Sequence, residues 1–136
     1  MDADGEARWG SRPRRRGRRR RLSRSAEFER VYREGRSHAN RHLVLHSFPR
    51  PDSGEGPRLG ISVGRKVGGA VERNRMKRLL REAFWAAAQD LPDEHDFVLV
   101  ARPDASELAD RGEAAVADAL RALLDEAGLL AGPDPA

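Results

Sequence analysis

The sequence predicts an α+β fold, a small two-layer sandwich with helices packed on one face of a sheet of three or four strands. Three observations carry that expectation. Segments of strand-forming residues, 42–48, 58–63 and 96–101, are interleaved with segments of helical periodicity. Each helical segment has one apolar stripe and so one face to bury. With 136 residues, 38% hydrophobic and 35% charged, the chain holds one modest core and a polar remainder.

The elements follow in order. Residues 1–21, MDADGEARWGSRPRRRGRRRR, have no hydrophobic period and place eight arginines between Arg12 and Arg21. Repulsion among them, with Gly10, Pro13 and Gly17, predicts a disordered Arg-rich tail. The folded domain is expected over 22–127. Ser23 or Ser25 can cap a helix over 25–34, in which Phe28, Val31 and Tyr32 recur at helical spacing and which Gly35 stops. The run 42–48 reads as a strand ending at Pro49, and 49–57, PRPDSGEGP, is turn material. In 58–63, Leu59, Ile61 and Val63 alternate with Gly60 and Ser62, the pattern of a half-buried strand. Gly68 and Gly69 precede the longest helix, about residues 70–89, which Pro92 ends. Residues 96–101, DFVLVA, form a buried strand. The last helix, 113–127, stacks Val116, Leu120, Leu123 and Leu124, with Gly128 as its cap and 128–136 as a flexible C-terminal tail.

Charge is divided along the chain. The overall net charge is +4, yet residues 1–81 carry 21 Arg and 2 Lys against 9 acids, a net +14, whereas residues 82–136 carry 3 Arg against 13 acids, a net −10. The first part suits a polyanion, and its arginines suit bidentate phosphate contacts and stacking on bases. With no cysteine, disulfide frameworks, thiolate nucleophiles and zinc ribbons are excluded. No apolar run is long enough to span a membrane and no signal-peptide core is present, so a cytoplasmic protein without membrane contact is expected.

The long helix is built as a charge device. With Arg73 as the origin of a wheel at about 100° per residue, Lys77, Arg81, Asn74 and Arg78 fall at about 40°, 80°, 100° and 140°. Met76, Leu79, Leu80, Ala83 and Ala87 fall on a nearly opposite arc, and Arg75 lies outside both. One face packs and the other is a basic rail. Glu72 and Glu82 are expected off the rail, leaving like charges in a row that RNA phosphates would offset. Arg65 and Lys66, followed by the Gly68–Gly69 backbone, bring further cations near the helix's positive N-terminal end.

No catalyst is legible. His42 and His46 have a zinc-like spacing, but on a strand they stand roughly 13 Å apart. Asp93, Glu94 and Asp96 resemble some magnesium sites but read better as solvated surface. No phosphate-binding loop, nucleophile elbow or dinucleotide fingerprint occurs. The expectation is an RNA-binding surface with no catalytic residue and no metal ligand.

Several blocks together resemble one family. Leu22-Ser-Arg-Ser-Ala-Glu-Phe28, Gly35-Arg-Ser37, Ala39-Asn-Arg41, Leu59-Gly-Ile-Ser-Val-Gly-Arg-Lys66 and Ala70-Val-Glu-Arg-Asn-Arg-Met-Lys-Arg-Leu-Leu-Arg81 are similar to the protein component of bacterial ribonuclease P over about residues 21–125. The most specific block is the RNR signature, Arg73-Asn74-Arg75. The resemblance implies a central, mostly antiparallel sheet of about four strands with three helices and a left-handed βαβ crossover through the RNR helix, an arrangement like domain 2 of ribosomal protein S5. It also implies a division of labour. The RNA subunit, requiring Mg2+, hydrolyses the phosphodiester that releases the 5′ leader of precursor tRNA, and one protein per RNA holds the leader and supports the catalytic RNA.

Site residues follow from the resemblance. Phe28 and Tyr32 match aromatic positions of a leader cleft between the first helix and the sheet, and Val44 and Ser62 match positions on the sheet face lining it. His46 stands where many members have an aromatic such as Tyr; it can stack, but can also become cationic. Arg65 and Lys66 match phosphate contacts. Arg73, Asn74, Arg75, Lys77, Arg78 and Arg81 match the set facing the catalytic RNA. The protein itself is expected to hold no cofactor stably. Two other classes compete: a ribosomal or general RNA-chaperone protein without a processing role, and a nuclease working without an RNA subunit.

Overall fold

The computed structural model describes residues 20–21, 25–49, 56–92 and 95–130. Among these residues there are five strands: β1 (Arg20–Arg21), β2 (Arg36–Ala39), β3 (Leu43–Pro49), β4 (Arg58–Val63) and β5 (His95–Ala101). Four helices accompany them: α1 (Ser25–Glu34), α2 (Ala70–Ala87), α3 (Ala105–Asp110) and α4 (Glu113–Glu126). One sheet forms in the order β1-β4-β5-β3-β2. The β2–β3 and β3–β5 pairs are antiparallel, and β4–β5 and β1–β4 are parallel, so the sheet is mixed and open. The parallel neighbours β4 and β5 are joined through α2.

Strand alternation divides the molecule into two cores of unequal size. Leu43 and Leu45 of β3, Leu59 and Val63 of β4, and Phe97, Leu99 and Ala101 of β5 pack against α2, α3 and α4. Met76, Leu79, Leu80, Ala83 and Ala87 of α2 are buried there, as is the Val116, Leu120, Leu123 and Leu124 stripe of α4. The second core holds only Val31 and Val98 fully buried, with Phe28, Phe48 and Val100 packed beside them. The first helix is therefore an exception to packing on one face: α1 lies across the other side of the sheet. Its stripe states that it has a face to bury, not which side of a sheet receives it.

Further departures are local. Sequence periodicity does not anticipate β2, a four-residue edge strand defined by its pairing with β3, or α3, too short to show a period. Arg20 and Arg21, counted in the tail, pair with Arg58 and Leu59; residues 1–19 and 131–136 lie outside the described residues. At the other end, Leu129 and Leu130 pack on the main core instead of belonging to a tail. Gly128, in the left-handed region at φ 74°, makes this possible. Its N–H donates to the Asp125 carbonyl and the Leu129 N–H to the Leu124 carbonyl, the paired closing bonds of a Schellman cap. Among the described residues, no helix is long and apolar enough to cross a membrane.

Gly35 closes α1 by close approach. A Cβ there would lie 2.2 Å from the Ser47 carbonyl oxygen and 2.6 Å from that of Val31, both backbone atoms that cannot swing aside. The Gly35→Ala variant should lose about 1–3 kcal/mol of stability or more, read as a lower denaturant midpoint; an unchanged midpoint would show that α1 does not sit this close to β3.

Candidate nucleic-acid interface

Register places the side chains of the α1 side of the sheet in three rows. Arg58, Asp96 and Phe48 form the first, Gly60, Val98 and His46 the second, and Ser62, Val100 and Val44 the third. Helix α1 is tied to the first row through Glu27 and to the second through Val31. Val44, Ser62 and Val100 of the third row are only half-buried, a shelf at the edge of the helix.

The expected cleft residues meet around this groove. Phe28 is half-buried and shares in the small core, so it is packing residue and groove wall together. Tyr32 is 42% exposed. Its ring lies 6.3 Å from that of Phe28 and 4.7 Å, edge-on at 76°, from that of His46. Burial pushes the His46 pKa below the ordinary 6.5. Burial thus favours the uncharged ring over the cationic form. Burial also raises the Tyr32 hydroxyl, leaving a protonated donor.

Arg58 was not singled out from sequence, yet it organises the first row. Its Nε and Nη2 donate to the two carboxylate oxygens of Asp96 at 2.9 and 2.8 Å, and its Nη1 donates to Glu27 Oε2 at 2.8 Å. Asp96 is 0% exposed, so this member of the acidic cluster expected at the surface turns inward onto a guanidinium; Asp93 and Glu94 lie outside the described residues. These bonds raise the Arg58 pKa further, led by the Asp96 hydrogen bond. Removing the guanidinium would strand a buried carboxylate at a cost of about 3–5 kcal/mol. The available signal was strand alternation, which puts Arg58 and Asp96 on the Ser62 side of their strands.

The rail is present and has an end. Arg73 and Lys77 are half-buried along their stems, and Asn74, Arg78 and Arg81 are exposed. Lys77, Arg65 and Lys66 make no ion pair among the described residues, and the buried Nε of Arg73 has no hydrogen-bond partner there. Arg65 and Lys66 project from a short 3-10 turn, Arg65–Val67, whose Val67 is buried as its anchor. Trp85, at about 120° on the rail's own arc, is buried edge-on against Phe84, which stops the polar face after Arg81.

Three side chains on α2 add detail to the wheel. Glu82 is not wholly off the rail, since it approaches Arg78 to 3.9 Å, an exposed i,i+4 pair of small energetic weight. Arg75 leaves the rail, as its wheel position indicates: Nη2 donates to the Ala109 carbonyl at 2.9 Å, and Nη1 is 3.9 Å from Asp110. It ties α2 to the C-terminal end of α3. The Glu72 side chain also folds over the glycine pair, where a Cβ on Gly69 would lie 3.1 Å from Glu72 Oε1. The chain's own carboxylate thus faces the helix N-terminus.

The Ala39-Asn-Arg41 block proves to be a structural lock. Asn40 Oδ1 accepts from the His42 and Leu43 N–H groups at 2.9 and 2.8 Å, closing the β2–β3 turn. Arg41 pairs with Asp104 and Glu107 beyond β5.

Comparison with known proteins identifies the family. A family model described as Ribonuclease P matches residues 17–128. The ribonuclease P protein component of Bacillus pumilus is 44% identical over 90 residues, 66% of this chain and 75% of that protein. That of Clostridium acetobutylicum is 38% identical over 110 residues, 81% of this chain and 90% of that protein. Among solved structures, the Staphylococcus aureus RNase P protein superposes with a TM-score of 0.73 at 32% identity, covering 81% of this chain and 96% of that one. With the family model covering most of the chain and relatives of this identity on the same fold, the chain belongs to the ribonuclease P protein family.

Proposed function

We infer that this chain is the protein subunit of ribonuclease P, acting in removal of the 5′ leader from precursor tRNA in the cytoplasm. The observation that carries the reading is the continuity of groove and rail. β4 contributes Ser62 to the groove floor, ends at Val63, passes through the turn bearing Arg65 and Lys66, and enters α2 with its cations. One short stretch of chain thus offers a stacking surface for single-stranded RNA and a set of phosphate contacts beside it.

The roles divide accordingly. Phe28, Tyr32 and His46 present ring faces and edges on which unpaired leader bases stack for about 1–3 kcal/mol each. Val44 and Ser62 form a low floor beneath them. Arg65, Lys66, Arg73, Lys77, Arg78 and Arg81 neutralise phosphates of the catalytic RNA, with Asn74 as a neutral donor beside them. Arg75 serves the interface by fixing α2 against α3. Phosphodiester hydrolysis belongs to the RNA subunit, and magnesium supplies charge neutralisation and an activated water there. Among the described residues, no group of three or more His, Cys, Asp or Glu side chains is placed to hold a metal ion. What the chain itself does is bind, orient and screen, one protein to one RNA.

Reconstitution tests this reading. Precursor tRNA and magnesium are incubated with protein alone, RNA alone and both together at near-physiological salt. Faster 5′ maturation with both together than with RNA alone supports the subunit role; RNA binding without acceleration would identify an RNA chaperone, and cleavage by protein alone a nuclease. Replacing Arg73 and Arg78 together by Ala should weaken holoenzyme assembly and flatten its log–log salt dependence by about one phosphate's worth of slope per lost contact. An unchanged slope would remove both residues from the interface.

The depressed pKa of His46 has its own consequence. Its neutral form is favoured by folding, so the corresponding stability is present above the ordinary imidazole value and is lost as pH falls toward the lowered one. NMR titration of the free protein should place His46 below 6.5, and the stability gap between the wild type and His46→Phe should widen in favour of Phe as pH drops below that value. A titration at or above the ordinary value would mean that the ring is not buried against Tyr32.

A further inference from the structure

Neither stacking nor phosphate binding explains why a guanidinium is held on the groove side of the sheet with its donors turned to carboxylates. Arg58 is 11% exposed in its side chain, Glu27 20% and Asp96 0%. All three guanidinium nitrogens are committed to those carboxylates at 2.8–2.9 Å, which leaves it poorly placed to take a phosphate.

We propose that Arg58, clamped between Asp96 and Glu27, is a positioning residue that sets the seat of α1 over the sheet and hence the width of the leader groove. This rests on the reading of that groove as the leader's binding site. Apolar contact alone defines the seat of α1 weakly: Val31 is its one fully buried side chain among those described, and only Val98 is fully buried opposite it. A helix seated by one fully buried side chain, with the half-buried Phe28 beside it, is held loosely, and a buried ionic anchor fixes its direction. Glu27 and Val31 are four residues apart, about 6 Å along a helix, and rows of the sheet two residues apart on a strand are separated by about 6.6 Å. Glu27 therefore meets the first row while Val31 meets the second. Glu27 immediately precedes Phe28 and lies five residues before Tyr32, so fixing it fixes both rings relative to His46.

Charge supports the mechanical role. A carboxylate at the edge of a groove for RNA, taken by itself, weakens binding of a polyanion. If only charge mattered, removing Glu27 would tighten RNA binding. If Glu27 holds α1 through Arg58, removing it weakens binding, and only for substrates whose leader enters the groove.

The test uses the holoenzyme reconstituted with its RNA and magnesium, and precursor tRNAs with either a single-nucleotide leader or one long enough to cross the groove. Glu27 is the position to alter, because Arg58→Ala would strand the buried Asp96 and risk the fold. Glu27→Ala should reduce the affinity gained from the long leader by about tenfold, the scale of one charge-assisted hydrogen bond, and leave the single-nucleotide substrate unchanged. Glu27→Gln, whose amide oxygen can still accept from Arg58 Nη1, should restore most of the gain. The proposal is overturned if Glu27→Ala keeps or increases the long-leader gain, or weakens both substrates equally. If the wild type itself gains nothing from a long leader, the groove reading fails and the proposal falls with it; a wild-type gain that survives in Glu27→Ala sinks the clamp alone.

Discussion

Everything in this structure hangs on the pairing of β5 with β3 on one side and β4 on the other. β5 is flanked on both edges, and its residues alternate between two environments: Phe97, Leu99 and Ala101 feed the large core, while Asp96, Val98 and Val100 supply the floor on the α1 side. A one-residue slip of register would exchange those sets, placing Asp96 among leucines and Phe97 in the groove. The Arg58–Asp96 pair acts against such a slip, because its two bonds form only when residues 58 and 96 are opposite. The ionic contact thus specifies alignment as well as binding two strands.

The rail and the groove differ in how they are made. The rail is a surface property, with apolar residues of α2 facing inward and the polar arc left outside. It needs little beyond the helix, apart from Arg75, which spends its charge holding α2 to α3. The groove is a tertiary property, assembled from α1, β3 and β4, and it exists only because the fold spaces them. The acidic half of the chain contributes mainly to β5, α3 and α4, with the exception of Asp96, whose charge is used internally.

That difference explains what could be read from sequence. Residues 25–34 and the start of α2 at 70 were legible because each helix carries its own stripe and its own breakers. The rail was legible for the same reason, down to the exclusion of Arg75 by its wheel angle. The side of the sheet taken by α1 was not, since amphipathicity has no reference to a partner. Nor was the Arg58–Asp96 contact, which joins residues 38 apart through a parallel register that no local pattern encodes. His46 was recognisable as a groove residue through family resemblance, but its protonation state depends on burial beside Tyr32, a product of the assembled fold. Asp96 was misjudged because a run of acids is usually wet; here its place in the strand aims the carboxylate at the Arg58 guanidinium.

The unequal division of apolar burial has a dynamic consequence. Local opening costs least where the fewest apolar contacts are lost, and on the α1 side those amount to Val31, Val98 and their half-buried neighbours. The large core can therefore stay intact while α1 lifts. Amide hydrogens of α1 would then exchange through a local opening, whereas those of α2 and β5 would wait for the molecule to unfold as a whole. In this sense α1 is a separate cooperative unit, held by that small core and the Arg58–Glu27 pair, whose opening leaves the helix that carries the rail undisturbed.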